Sequence, residues 1–507
     1  MHDAGRLPVL VGIGQVRGNW ERTVAGAREP LRLILDALCA AAADACSEAG
    51  CRLVRDLDVL DTVHVASWSY ADLASVLAER LGARPRHRGG VPVGGHRPAE
   101  LFDLAAARIA AGESRVAAVV GGEAQASVAA LARAGVDPAG DLGWSAAPGG
   151  PAEFDPGEFG SPDMRAAGLV LPTRVYPMFE NALTHRLGQT PDEGLAWSAA
   201  LYAAFSRVAA ANPVAWNPRE RSAAEIADVT PDNRMICEPY PLAMNAMPLV
   251  DQAAAVVLTS LAAAREYGVP EEKIVYVWGG AGAIDAADVL QRPSFADSAA
   301  LASVLDRCLA AGGLAADELD AIDIDSCFPV VPKLAIRHLG LSATAVPSVT
   351  GGHSAFGGPL SSYSLHALVA AAGRLRRGAR TALVHANGGY LTRQHAVLLG
   401  RDPHPRGYIG EPEPVVTAGP APRVVAPVEG EAVVETATVE HAHEAAAVRA
   451  FLVARTADGA RFAAQTAPGD AASALTLSLR GDAAGREVVG RQVRVARRDS
   501  HVVVDPA

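Results

Sequence analysis

Lysine is almost missing from this chain: only Lys273 and Lys333 stand among 45 basic residues, and all the others are arginine. Schiff-base chemistry, which needs a lysine amine, therefore has two candidates at most. Cysteine is sparse too. The residues Cys39, Cys46, Cys51, Cys237, Cys308 and Cys327 form no CxxC pair and no cluster with histidine at zinc-ligand spacing. That argues against a disulfide framework and against a structural metal. No basic stripe is interleaved with aromatics, and a net charge of −11 opposes attraction to phosphate backbones, so nucleic acid is not an expected partner. Neither a GxxxxGK[ST] phosphate loop nor a GxSxG nucleophile elbow occurs. Apolar stretches such as Ala253 to Ala264 are interrupted by Thr and Ser and are too short for a membrane span. The first residues show no basic segment leading into a long apolar run, so the expectation is a cytoplasmic protein.

What is present is a globular composition, 50% apolar with mean hydropathy +0.15, over 507 residues, which predicts two or three domains. Seven prolines between Asp402 and Pro427 predict an extended linker over residues 403–427. Beyond it, alternating runs at Val433–Val439, Val448–Arg455 and Val488–Arg497, with a hairpin turn at Ala457–Ala460, predict an all-β, OB-like domain over 428–507.

Before the linker, short β-branched runs alternate with Ala-rich amphipathic helices, the pattern of α/β layers. Strands at Val9–Val16 and Leu57–Val65 and helices at Leu31–Ala49 and Leu73–Leu81 form a first series. Strands at Ile274–Trp278 and Leu319–Ile324 and helices at Ala299–Ala311 and Val330–Leu339 form a second. The series are copies of one another. Gly94-Gly95-His96 precedes a helix, a strand and Gly121-Gly122-Glu123, just as Gly351-Gly352-His353 precedes a helix, a strand and Asn387-Gly388-Gly389-Tyr390. The copies occupy residues 1–270 and 271–402. Residues of about 131–247 break the pattern with loops at Pro148–Pro151 and Pro156–Gly157 and helices at Tyr176–Arg186 and Ala196–Ala211, an insertion long enough to cover a site.

On these motifs, together with Asp251–Leu258, Asp323–Phe328 and Gly351–Pro359, residues 7–402 resemble the thiolase superfamily. Within it they resemble the sterol-carrier-protein-type thiolases, and closer still thiolase-like protein type 1. The shared features with that last group are Thr350-Gly351-Gly352, Ala386–Leu391, Asn233-Arg234-Met235, Tyr176–Glu180 and an extra C-terminal β domain. The resemblance implies two βαβαββ halves with an inserted loop domain, and an acetyl-CoA acetyltransferase-like activity on coenzyme A thioesters in lipid metabolism. It implies no other cofactor.

Thiolase chemistry needs a nucleophilic cysteine, a histidine base and a second cysteine. Aligned on the motifs, Gly95 stands at the nucleophile position, Gly358 at the histidine of Gly-His-Pro, and Ala386 at the second cysteine. The His-Asp-Cys-Phe motif of sterol-carrier-type thiolases becomes Asp325-Ser326-Cys327-Phe328. All three acid/base and nucleophile positions are thus empty, and ordinary thiolysis is unsupported. His353, Asp325, Tyr390 and Cys327 remain as candidate catalytic groups, with His96, Glu123, Asn387, Gly388, Gly389 and Gly352 as candidate binding residues. Such a set could perform acid/base chemistry on a thioester, as a carbon–carbon lyase or hydratase, without an acyl-enzyme. A noncatalytic binding or scaffold protein, with a partner docked on the C-terminal domain, is the third reading. Each residue also has a structural alternative: His96 and His353 could cap helices, Tyr390 could pack in the core, and Cys327 could be an inert buried thiol. The arginine run at 374–380 could hold coenzyme A phosphates or simply complement a helix C-terminus. The chain is expected to be a monomer or a homodimer.

Overall fold

The structure, a computed structural model, describes residues 4–45, 50–145, 160–417, 419–442, 447–480 and 487–507. The loops expected at Pro148–Pro151 and Pro156–Gly157 lie outside the described residues. The first half contributes strands β1 (Pro8–Arg17), β2 (Val59–Thr62), β3 (His87–Gly90) and β4 (Val116–Ala124) and helices α1 (Pro30–Ala45), α2 (Leu73–Leu81) and α3 (Arg97–Ala111). The insertion supplies helices α4 (Pro172–Arg186) and α5 (Pro191–Ala210) and the short strands β5 (Met235–Cys237) and β6 (Tyr240–Pro241). The chain then returns through β7 (Asp251–Ser260). The second half is β8 (Val275–Ile284), α6 (Ala299–Gly312), β9 (Ala321–Ile324), α7 (Val330–His338), α8 (Tyr363–Arg376), β10 (Thr381–Gly388) and β11 (Arg393–Gly400).

The duplication is visible in the sheet, whose order is β3-β2-β4-β7-β1-β8-β11-β10-β9. Each half runs outward from a shared seam, where β1 and β8 meet antiparallel with Val9 opposite Tyr276 and Leu10 opposite Val275. Both faces of these strands are buried, so alternate residues serve different cores. Val9 and Val11 face α1, whereas Leu10 joins a middle cluster. That cluster brings Phe102 and Ile109 of α3 and Leu365 and Leu368 of α8 against strands of both halves. A third cluster packs Val304 of α6 and Val331 of α7 on Leu383 of β10 and Leu398 of β11, together with the inserted helices. The result is five layers, with α3 and α8 in the centre.

Within the proline-rich segment, a turn at His404–Gly407 is followed by Glu411–Val416 (β12), which adds a parallel strand to β8. Strands β13 (Gly430–His441), β14 (Ala447–Arg455), β15 (Arg461–Gln465), β16 (Gln492–Arg498) and β17 (His501–Pro506) form an antiparallel sheet in the order β15-β14-β13-β16-β17. The hairpin at 457–460 joins β14 to β15, with Arg455 opposite Arg461. One short helix, Ala471–Thr476, interrupts a domain whose sequence reads as all-β; Asp470 caps it. Among the described residues no helix is long and apolar enough to cross a membrane, and no group of three His, Cys, Asp or Glu side chains is arranged to hold a metal ion.

Candidate functional site

The carboxyl ends of β9 and β10, the π turn Gly352–Phe356 and helix α4 converge on one small polar cluster. A single π turn is rare and concentrates at functional sites, and here it carries His353. Its Nδ1 accepts from the Ser326 backbone N–H at 3.3 Å, and its Nε2 lies 3.6 Å from Asp325 Oδ2. An accepting Nδ1 puts the proton of the neutral ring on Nε2, facing the carboxylate. Burial pushes the imidazole below its ordinary range, and Asp325 opposes that shift. The ring stacks on Tyr363 with centroids 3.5 Å apart. Asp325 is held in turn by the Cys327 backbone N–H, 3.0 Å from Oδ1. Four hydrogen bonds to Asp323 Oδ2, from the N–H groups of Val349 (2.8 Å) and Thr350 (3.0 Å) and the hydroxyls of Ser348 (3.1 Å) and Thr350 (3.0 Å), fix the loop leading into the glycine pair.

Asn387 is oriented from both sides. Its Oδ1 accepts from Gln394 Nε2 at 2.7 Å, and its amide donates to Tyr176 Oη at 2.8 Å and to Cys327 Sγ at 3.5 Å. Tyr176 donates onward to the Gly389 carbonyl at 2.7 Å. The Cys327 thiol is pushed well above its ordinary range by burial, and next by Asp325 beside it. It stays protonated and is a poor nucleophile. Gly95, Cys327 and Gly389 are the partly exposed members of the cluster.

Of the three thiolase positions, Gly95 is closed to any side chain, Gly358 is tight, and Ala386 is taken up by the core. A Cβ on Gly95 would lie 2.4 Å from the Asn387 carbonyl oxygen, a backbone atom, so no side chain fits there. A Cβ on Gly358 would meet Ala246 Cβ at 3.2 Å, against the segment whose Met247 carbonyl accepts from the Gly358 N–H at 2.9 Å. Ala386 packs in the middle apolar cluster beside Val384.

The structure thus brings together His353, Asp325, Cys327, Asn387, Gly352, Gly388 and Gly389. His96 lies next to Gly95, at the N-cap position of α3, but makes no side-chain cap. Its ring is wedged between glycines: a Cβ on Gly388 would come within 2.2 Å of Nδ1, and one on Gly94 within 2.7 Å of Cε1. Burial, then Arg97 and Arg393, hold it well below its ordinary pKa. Two expected residues are committed elsewhere. The Tyr390 hydroxyl donates to the Val170 carbonyl at 2.8 Å. Glu123 accepts the N–H groups of Ala66 and Ser67, each at 2.8 Å, and burial raises its pKa to about 7. Sequence reasoning missed Ser326, Tyr363, Tyr202, which donates to the Ser326 carbonyl at 2.7 Å, and Gln394. Gln394 had a signal: it stands opposite Asn387 in the β10–β11 register, and His385 shares the Asn387 face two residues earlier.

Solved structures share this architecture. A monomeric SCP2-thiolase like protein type 1 from Mycobacterium smegmatis superposes with a TM-score of 0.80 at 27% identity, covering 99% of this chain and 100% of its own. An Ltp2–ChsH2(DUF35) aldolase has a TM-score of 0.58 at 19% identity over 78% of this chain and 98% of its own. Human mitochondrial 3-ketoacyl-CoA thiolase in complex with CoA has a TM-score of 0.55 at 15% identity over 78% of this chain and 98% of its own. No curated protein matches the chain by sequence. The two α/β halves and the insertion define a thiolase fold. Residues 412–499 match the thiolase-like protein type 1 additional C-terminal domain, and over its whole length the chain is similar to the thiolase-like protein of type 1 from Mycobacterium smegmatis.

Proposed function

We propose that the chain binds a coenzyme A thioester and handles it without a covalent acyl-enzyme. The observation that carries this reading is the Asn387 carbonyl, 2.4 Å from where a side chain at Gly95 would begin. The position where a thiolase needs its thiol admits no side chain, yet the polar groups around it are kept and ordered. In this reading the thioester approaches past the partly exposed Gly95, Cys327 and Gly389, and Asn387, Gly352 and Gly388 would line its place. The thiolase with CoA bound, similar in fold, supports the ligand class. Calorimetric titration with acetyl-CoA and longer acyl-CoA esters, paired with intact-mass analysis, tests it. Saturable binding without an acyl adduct is expected. Robust thiolysis of acetoacetyl-CoA, or no binding at all, would overturn it.

A carbon–carbon lyase is the second reading, favoured by the contact of His353 with Asp325. On a β-hydroxyacyl thioester, Asp325 would take the hydroxyl proton as the Cα–Cβ bond breaks. That releases a carbonyl product and leaves the thioester enolate, which takes the same proton back from Asp325 at Cα while His353 Nε2–H holds the carboxyl group in place. The aldolase of similar fold supports that class. Product analysis with a panel of β-hydroxyacyl-CoA esters distinguishes the readings. Under the lyase reading His353→Gln and Asp325→Asn lose turnover while keeping ligand, and Tyr390→Phe retains turnover because its hydroxyl is bound to Val170. Tight binding without turnover in the parent chain would mark a noncatalytic binding protein.

A further inference from the structure

A second concave site lies at the other end of the sheet. Where α8 ends and β9 and β10 begin, a cleft of about 500 Å3 is lined by Arg374, Arg377, Arg380, Arg401 and Asp320. Strand β10 separates it from the polar cluster: from Arg380 to Asn387 is about 23 Å at the rise of a β-strand. The cleft is therefore not the place where a thioester would meet His353.

Its charge balance is unlike that of the whole chain. Four arginines face one carboxylate in a protein of net charge −11. Asp320 is already engaged: its Oδ2 accepts the Arg380 backbone N–H at 2.7 Å, and these backbone bonds keep it ionised. It reaches the Arg380 guanidinium only at 3.4 Å. Arg401 approaches the exposed Asp402 at 3.9 Å and the Gly378 carbonyl at 3.4 Å. Among the described residues, Arg374 and Arg377 have no ion-pair partner. Arg377 folds back over Gly373, where a Cβ would lie 3.2 Å from its Nη1, so this glycine makes room for the guanidinium. By contrast Arg376, in the same run, is spent on Asp44 at 2.6 Å.

We infer that this cleft binds an oligophosphate. Guanidinium groups match phosphate oxygens with paired N–H donors, and several converging arginines suit an anion of several charges in a cleft larger than one phosphate. The lining offers no aromatic ring, so charge and not a base is what it reads. The source of the phosphate, inorganic or nucleotide, is separated by the test.

Full-length chain is titrated calorimetrically at low ionic strength with inorganic tripolyphosphate, adenosine triphosphate, coenzyme A and a glutamate peptide matched in charge. Tripolyphosphate is expected to saturate one site and to weaken with added salt. The nucleotide should bind within about threefold of it, because nothing in the cleft stacks a base. Arg374→Ala with Arg377→Ala should cost about tenfold or more in affinity. Arg84→Ala with Arg133→Ala, exposed and remote, removes the same charge and should cost less than twofold. Equal losses in both double variants, absence of saturation, or tighter binding of the glutamate peptide would each overturn the inference. Coenzyme A bound at the polar cluster should be indifferent to Arg374→Ala with Arg377→Ala. Coenzyme A binding that survives in that variant reports the polar cluster, and its complete loss there would strike the acyl-CoA reading. Failure of coenzyme A to bind the parent chain at all would overturn the cleft as well, because its phosphates carry the charge the cleft reads.

Discussion

Single atoms decide what Gly95 can be. With the Asn387 carbonyl 2.4 Å from its missing Cβ, Gly95→Ala forces two backbone segments apart and should cost about 1–3 kcal/mol. Gly95→Cys should unfold as readily and gain no acyl adduct from acetyl-CoA. A stable variant that acylates would show that this carbonyl yields. Burial acts on protons in the same way. His366 is fully buried beside Gln15, its pKa lowered to about 3 by desolvation. Below the unfolded value of about 6.5 the unfolded chain takes a proton that the folded chain refuses, so this site destabilises as pH falls through that value. Glu123, raised to about 7, and Asp323, raised to about 6, act in the opposite sense, so only a difference isolates the histidine. Between pH 7.5 and 5 the parent should lose about 2 kcal/mol more than His366→Gln in urea unfolding. Parallel pH profiles would remove His366 as the cause.

Helix α4 links the cluster to the rest of the molecule, and a buried ion pair sets its position. Lys333 of α7 donates to Glu180 and, at 2.9 Å, to the Gly194 carbonyl, while Tyr240 donates to the other Glu180 oxygen at 2.6 Å. Removing one partner strands a buried charge. Lys333→Met should therefore cost about 3–5 kcal/mol, with Glu180→Leu restoring most of it in the double variant. A double variant no better than the single would place the cost in packing. Most helices were legible, because an apolar stripe of period 3.6 survives any tertiary setting; α2 spans the expected Leu73–Leu81 and α7 begins at the expected Val330. The strands β4 and β10 run further than their apolar cores suggest, through Gly121-Gly122 and Asn387-Gly388. Those glycines are strand residues crowded by neighbours: a Cβ on Gly122 would sit 2.5 Å from that of Ala253. Asp325, His353, Cys327 and Asn387 were legible because motifs carry them. Tyr202, 124 residues from the Ser326 it binds, has no local signal at all.

Across the whole molecule, proline density between 403 and 427 suggests an independent C-terminal module on a free tether. The contacts argue for one cooperative body. On α4, Thr436 Oγ1 donates to the Met178 carbonyl and Asn181 Nδ2 to the Ala437 carbonyl, both at 2.7 Å, while Arg174 pairs with Glu440 at 2.9 and 3.1 Å. Fully buried Arg461 reaches the Leu290 carbonyl at 2.6 Å and pairs with Glu435, and Phe451 and Val453 enter the same apolar cluster as α4 and α6. Neither part can open without stripping polar groups of the other from their partners. Calorimetry should therefore show a single transition with equal van't Hoff and calorimetric enthalpies. Arg461→Met, which leaves Glu435 to Arg455 alone and strips the Leu290 and Arg292 carbonyls of their buried donor, should lower that transition without splitting it. Because Tyr176 and Asn181 share α4, Thr436→Val, which removes the tie from β13 to the Met178 carbonyl at a cost of about 1 kcal/mol, should also weaken acyl-CoA binding although it lies outside the cluster. Two resolved transitions, or ligand affinity untouched by Thr436→Val, would show that the C-terminal domain leaves the site to the thiolase halves.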